Sequence, residues 1–188
     1  VYDEFLAVPK NKTGIRLHGQ SRDGVVAWND AVGKRIIPGV SEKETSVAAT
    51  NVFADDFHAE RMTFQNTRGR GIQALALQAC GDRQSFRDCA FRSFQDTLLC
   101  RNPGTRQFFS ECLIEGGVDF IYGAGTALFD SCSILCLPGG RWILAPSSRG
   151  TRADGTPFSG LILKNCRILR AAGVPDASQF FLRPWKDG

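Results

Sequence analysis

Phe86-Arg87-Asp88-Cys89-Ala90-Phe91 recurs as Phe109-Ser110-Glu111-Cys112-Leu113-Ile114, Phe129-Asp130-Ser131-Cys132-Ser133-Ile134 and Leu163-Lys164-Asn165-Cys166-Arg167-Ile168, with an earlier copy at Ala59-Glu60-Arg61-Met62-Thr63-Phe64. Each copy reads apolar, polar, polar, Met or Cys, variable, Phe or Ile, the pattern expected of a strand with one buried face. Measured at the Met/Cys position, the copies are 27, 23, 20 and 34 residues apart. Steps of this size define a solenoid, in which each coil stacks on the last about 4.8 Å away and buries its inward residues in one continuous core. The expected fold is therefore all-β and built from stacked coils.

The remaining composition fits. Of 188 residues, 43% are hydrophobic and 22% charged, which excludes a mainly disordered chain. The 20 glycines and 8 prolines concentrate in turn-rich segments such as Arg101-Asn102-Pro103-Gly104, Pro138-Gly139-Gly140 and Arg152-Ala153-Asp154-Gly155-Thr156-Pro157. In solenoids such loops tend to sit on the working face. The longest uncharged stretch is the eleven residues Gly71 to Gly81, against about 20 apolar residues for a membrane span. No basic or apolar leader precedes Tyr2, so any targeting segment is expected outside this chain.

Seven cysteines lack C-x-x-C spacing, and only His18 and His58 are available, so neither a zinc site nor a histidine-activated nucleophile is expected. Hydrolytic chemistry would have to run on carboxylates. Cys89, Cys112, Cys132 and Cys166 occupy equivalent inward positions, which favours a ladder of buried free thiols over a disulfide framework. The net charge of +4 is spread along the chain without the Lys/Arg blocks that track nucleic acid. Gly69-Arg70-Gly71-Ile72-Gln73-Ala74 fits a dinucleotide fingerprint, but that motif needs a following helix, and the surroundings read strand after strand.

A stronger constellation comes from spacing. Asp96 and Asp119 are 23 residues apart, and Gln73 and Gln95 are 22 apart, each about one coil. Stacking would set two carboxylates and two carboxamides on one lateral face. Two acids in different environments can divide the labour, one ionised and one protonated. Taken singly, each Asp is equally well read as a turn residue satisfying backbone N–H groups.

At these residues the sequence resembles the pectin methylesterase (pectinesterase) family, carbohydrate esterase family 8. Gln73-Ala74-Leu75-Ala76-Leu77, Gln95-Asp96-Thr97-Leu98, Asp119-Phe120-Ile121-Tyr122-Gly123 and Arg183-Pro184-Trp185 follow the family's signature blocks in order, with Val1-Tyr2-Asp3-Glu4 and Phe64-Gln65-Asn66-Thr67 similar to earlier ones. The resemblance implies a right-handed parallel β-helix over 1–188 as a single domain, truncated at both ends because members continue for several coils past Arg-Pro-Trp.

The resemblance also implies roles. Asp119 is the nucleophile toward the galacturonate methyl ester, and Asp96 is the general acid and then base. Gln73 and Gln95 stabilise the oxyanion, and Arg183 holds the nucleophilic carboxylate in place. Trp185 and Tyr122 contact sugar, with Thr45 aligned to a further substrate-binding position. It implies methyl-esterified pectin as partner, no cofactor, no metal, no nucleic acid, no membrane span, a monomer, and a secreted or cell-wall location. Leu99 stands where Tyr is usual, Ala124 where Asn is usual, and Leu182 replaces a Gly before Arg183, a change expected to shift Arg183 relative to Asp119. Two other readings share the scaffold: a galacturonan glycosidase using the same paired acids, and a catalytically impaired β-helix that binds pectic polysaccharide.

Overall fold

The computed structural model describes residues 1–34, 48–147 and 159–185. Among the described residues, twenty short strands wind through three parallel sheets in strict rotation, so each strand inside a sheet pairs with those three before and three after it. The first sheet contains Thr63–Asn66, Ala90–Arg92, Leu113–Gly116, Ser133–Cys136 and Arg167–Arg170, after Tyr2–Asp3 and Val26–Asn29. The second runs from Leu6–Val8 and Ala48–Val52 through Leu75–Ala79, Leu98–Cys100, Ile121–Gly123 and Trp142–Pro146 to Phe180–Leu182. The third holds Arg16–His18, His58–Glu60, Gln84–Arg87, Arg106–Ser110, Thr126–Asp130 and Gly160–Lys164. This is a right-handed parallel β-helix. No α-helix occurs among the described residues, so the glycine fingerprint at 69–74 opens no βαβ unit.

The repeat register is that of the sequence: Ala90 pairs with Thr63 and Leu113, and Ser133 with Leu113 and Arg167. One expectation is corrected. The hexapeptide is a corner joining two sheets and not a single strand. Gln84–Arg87 ends in the third sheet, Asp88 turns with φ of 47°, and Ala90–Arg92 begins in the first. Glu111, Ser131 and Asn165 occupy the same left-handed region at the equivalent corners. A straight strand alternates faces, so Phe86 and Phe91, five residues apart, would point opposite ways. The left-handed residue resets the alternation, and Phe86, Cys89 and Phe91 are all fully buried.

Identical positions stack into ladders. Phe86, Phe109 and Phe129 lie face to face with centroids 5.0 and 4.7 Å apart, and Phe64 stacks on Phe91 at 5.6 Å. All seven cysteines are free, as the ladder reading expects. Cys112, Cys132 and Cys166 each direct Sγ to the carbonyl of Phe86, Phe109 and Phe129 one coil below, at 3.4 Å. Phe109 sits mid-stack with no exposed surface. Phe109→Ala is expected to lower unfolding free energy by about 3–5 kcal/mol in denaturant titration; a loss below ~1 kcal/mol would contradict the stacked core.

Candidate active site

The corner from the first sheet to the second places the two acids. Asp96 and Asp119 both adopt left-handed backbone, with φ of 63° and 49°. Asp is among the few non-glycine residues enriched there. Main-chain bonds tie the corners together: Ala74 N–H donates to Gln95 O at 3.1 Å, Asp96 N–H to Val118 O at 3.0 Å, and Asp119 N–H to Trp142 O at 2.8 Å. The 23-residue spacing thus becomes one coil step. Below Asp96, the Thr97 hydroxyl donates to Glu115 O at 3.0 Å, pinning the turn from inside.

Arg183 arrives from the last described strand of the second sheet, its N–H donated to Leu144 O at 3.0 Å. Its guanidinium grips Asp119 in a fork: Nε donates to Oδ1 at 2.7 Å and Nη2 to Oδ2. Such bidentate pairs fix geometry as well as charge. With Leu182 in place of a glycine, Arg183 still reaches Asp119, and Leu182 itself lies in register beside Leu144. The hydrogen bonds it donates to Asp119 hold the Arg183 guanidinium still more firmly protonated than usual.

Asp96 is 5% exposed. Burial, followed by the charge of Asp119, pushes its carboxyl up to about 7, while Arg183 and the Gln73 carboxamide act in the opposite direction. A group poised there is a proton donor near neutral pH and a base once it has given its proton up.

Asp96 opens onto a cleft of about 730 Å³ on the outer face of the second sheet. Asp96, Gln73, Leu99, Tyr122, Ala124 and Trp185 line it. Tyr122 and Trp185 meet edge to face, with centroids 5.4 Å apart at 72°. Burial keeps the Tyr122 phenol neutral. Gly123 closes the Asp-Phe-Ile-Tyr-Gly block with φ of 127°, and a Cβ there would lie 1.9 Å from Cys100 O.

The structure therefore brings Asp96, Asp119, Gln73, Tyr122, Arg183 and Trp185 together. Gln95 lies half-buried at the corner beside them, bridged to Val118, and its side chain makes no hydrogen bond among the described residues. Thr45 lies outside the described residues. Sequence reasoning gave no role to Lys34, Ile72, Arg101, Asn102, Pro103 or Ser147, which also border the cleft. The turn signal at 101–104 pointed toward three of them, since loop residues gather on the working face.

Fold and site together define a β-helical protein with an arginine-clamped carboxylate, a second, buried carboxyl group and an aromatic-walled cleft. The pectinesterase family model matches residues 1–187, and the chain belongs to the pectinesterase family. It is 36% identical over 192 residues to Probable pectinesterase/pectinesterase inhibitor 25 of Arabidopsis thaliana, covering 99% of this chain and 30% of that protein. It is 36% identical over 140 residues to Probable pectinesterase A of Aspergillus niger, covering 74% and 41%. Among solved structures, the pectin methylesterase from Yersinia enterocolitica superposes with a TM-score of 0.80 at 30% identity, over 98% of this chain and 62% of that one. A pectin methylesterase in complex with hexasaccharide VII gives 0.78 at 28%, over 98% and 59%. The chain thus spans less than two thirds of the length of these relatives.

Proposed function

We propose that the protein is a pectin methylesterase, hydrolysing methyl esters of polygalacturonate to carboxylate and methanol. The observation that carries this reading is the Asp119 carboxylate gripped by Arg183 one coil from a buried Asp96. Each Asp119 oxygen accepts one bond from the guanidinium and keeps a second lone pair. One of these attacks the ester carbonyl carbon. The oxyanion that forms is met by carboxamide N–H groups, Gln73 at the cleft and Gln95 at the adjoining corner, which donate without adding positive charge that would compete for the nucleophile.

Collapse of the tetrahedral adduct breaks the bond to the methoxyl oxygen, and Asp96 gives its proton to that oxygen so that methanol leaves. An acyl-aspartyl anhydride remains. Asp96, now ionised, takes a proton from water as the hydroxyl adds to the acyl carbon; collapse of this adduct breaks the bond to Asp119, leaving Asp119 ionised and Asp96 protonated again, and the released galacturonic acid carboxyl loses its proton to solvent. The Tyr122 and Trp185 rings offer apolar faces to the C–H surfaces of the sugar.

In the same reading, residues 1–188 belong to one β-helix domain, the partner is methyl-esterified pectin, and the protein works outside the cell where that polymer lies. The test is incubation of the protein with highly methylated pectin, following methanol and new reducing ends together. Methanol without reducing ends is expected. Reducing ends would mark a glycosidase, and neither product would mark a binding module. Gln73→Ala is expected to lower kcat about 10²- to 10³-fold, the usual loss for one oxyanion donor; a loss under threefold would remove Gln73 from that role.

A further inference from the structure

We propose that Trp142 is a positioning residue that holds Arg183 and Asp119 in register with each other, an inference that rests on the esterase reading above. Trp142 begins the strand Trp142–Pro146, one coil above the Asp119 corner. Its carbonyl accepts the Asp119 N–H at 2.8 Å. Its ring lies beneath the incoming guanidinium, the Arg183 Cζ 5.3 Å from the ring centroid, within the roughly 6 Å over which a cation is drawn to an aromatic face. One residue therefore touches both halves of the pair, the backbone end of one and the charged end of the other.

The ring is itself held. Phe180 pairs with Trp142 on the next strand, with centroids 6.2 Å apart at 31°. The Arg141 guanidinium carbon lies 4.5 Å from the Trp142 centroid and 5.8 Å from that of Phe180. Phe180 N–H donates to Arg141 O, fastening the two strands at this point.

This support answers a mechanical need. Arg183 stands 64 residues after Asp119, and its side chain keeps 37% exposure, against 8% for the Asp119 side chain. A long side chain left in water has many rotamers. A displacement of about 1 Å at a reacting centre can cost roughly 100-fold in rate. The aromatic face restricts where the fork can sit.

Trp142→Phe and Trp142→Leu separate a ring from mere apolar bulk. The Leu variant is expected to lose about tenfold in kcat on methylated pectin with KM changed less than twofold, and the Phe variant to stay within about threefold of the parent. Equal losses in Phe and Leu, or a change confined to KM, would overturn the proposal. A second readout does not depend on turnover. Hydrogen exchange of the Arg183 Nε–H, followed by 15N NMR, is expected to speed up at least fivefold in the Leu variant and to remain near the parent rate in the Phe variant. Unchanged exchange in the Leu variant would also overturn it. Should Leu fail to fold, Trp142→Met is read in its place. If the parent releases no methanol, the esterase reading fails while the exchange experiment still decides whether Trp142 positions the pair.

Discussion

Asp119→Asn is expected to lower methanol release from methylated pectin by about 10⁴-fold or more, the scale on which enzymes lose rate when their nucleophile is removed. The substitution is nearly isosteric, so the cleft keeps its shape. The carboxamide oxygen can still accept one bond from Arg183, but it carries no negative charge and cannot form the anhydride. Because the Arg183 side chain remains 37% exposed, the guanidinium left behind can be solvated, and unfolding should shift by no more than ~1–2 kcal/mol.

A third consequence reaches the neighbouring acid. The charge of Asp119 is, after burial, the second cause of the raised Asp96 carboxyl. Its removal should lower the midpoint of the Asp96 titration, measurable by 13C NMR of the carboxyl carbon even though the variant turns over no ester. Residual activity above ~1% of the parent in a folded Asp119→Asn protein would exclude Asp119 as nucleophile.

The solenoid was legible because stacking makes sequence distance meaningful: residues one coil apart in the chain are strand neighbours in space. That is why the Met62, Cys89, Cys112, Cys132 and Cys166 positions return in register. The same property made Asp96 and Asp119 visible as a pair. One coil further, 23 residues on from Asp119, stands Trp142.

What spacing could not convey was direction. A left-handed residue at Asp88 redirects the next side chains, and periodicity counts cannot register a single backbone torsion. The Asp119–Arg183 pair lay equally beyond reach of periodicity, because coils of 20 to 34 residues accumulate unequal loops between them. The Arg183-Pro184-Trp185 block was legible through family resemblance alone. Leu182 in place of the preceding glycine looked disruptive in sequence, yet it stands in register beside Leu144 and Arg183 still contacts Asp119.

Asp96→Asn is expected to stabilise the protein at alkaline pH while disabling it. The folded carboxyl titrates at about 7, well above its ordinary value of 3.8. Between those values the folded state holds a proton at this site that the unfolded chain releases. The stability contributed by the neutral form is therefore complete below about pH 3.8, is eroded as pH rises, and is gone above about 7. A gap of roughly three units at 1.36 kcal/mol each amounts to about 4 kcal/mol at most, an upper bound because a buried charge draws in water and relaxes its surroundings. Asparagine carries no such burden. Denaturant unfolding should find parent and variant equally stable near pH 4, within ~1 kcal/mol, with the variant ahead by a few kcal/mol at pH 8. Parallel stability curves across that range would refute the buried, proton-binding state of Asp96.

The same titration governs turnover. In the proposed mechanism protonated Asp96 serves methanol departure, so kcat/KM of the parent should fall on the alkaline side with an apparent midpoint near 7. In Asp96→Asn that limb should vanish along with about 10²- to 10⁴-fold of the rate, the contribution typical of a positioned acid and base. Burial makes this carboxyl a competent acid at neutral pH, and the cost of keeping it buried falls on the fold whenever the proton is lost. The proposed mechanism asks for a neutral acid beside an ionised nucleophile, which can only be built where ionising the second group is unfavourable, so the stability gained by Asp96→Asn would measure how strongly the fold enforces that proposed division of labour.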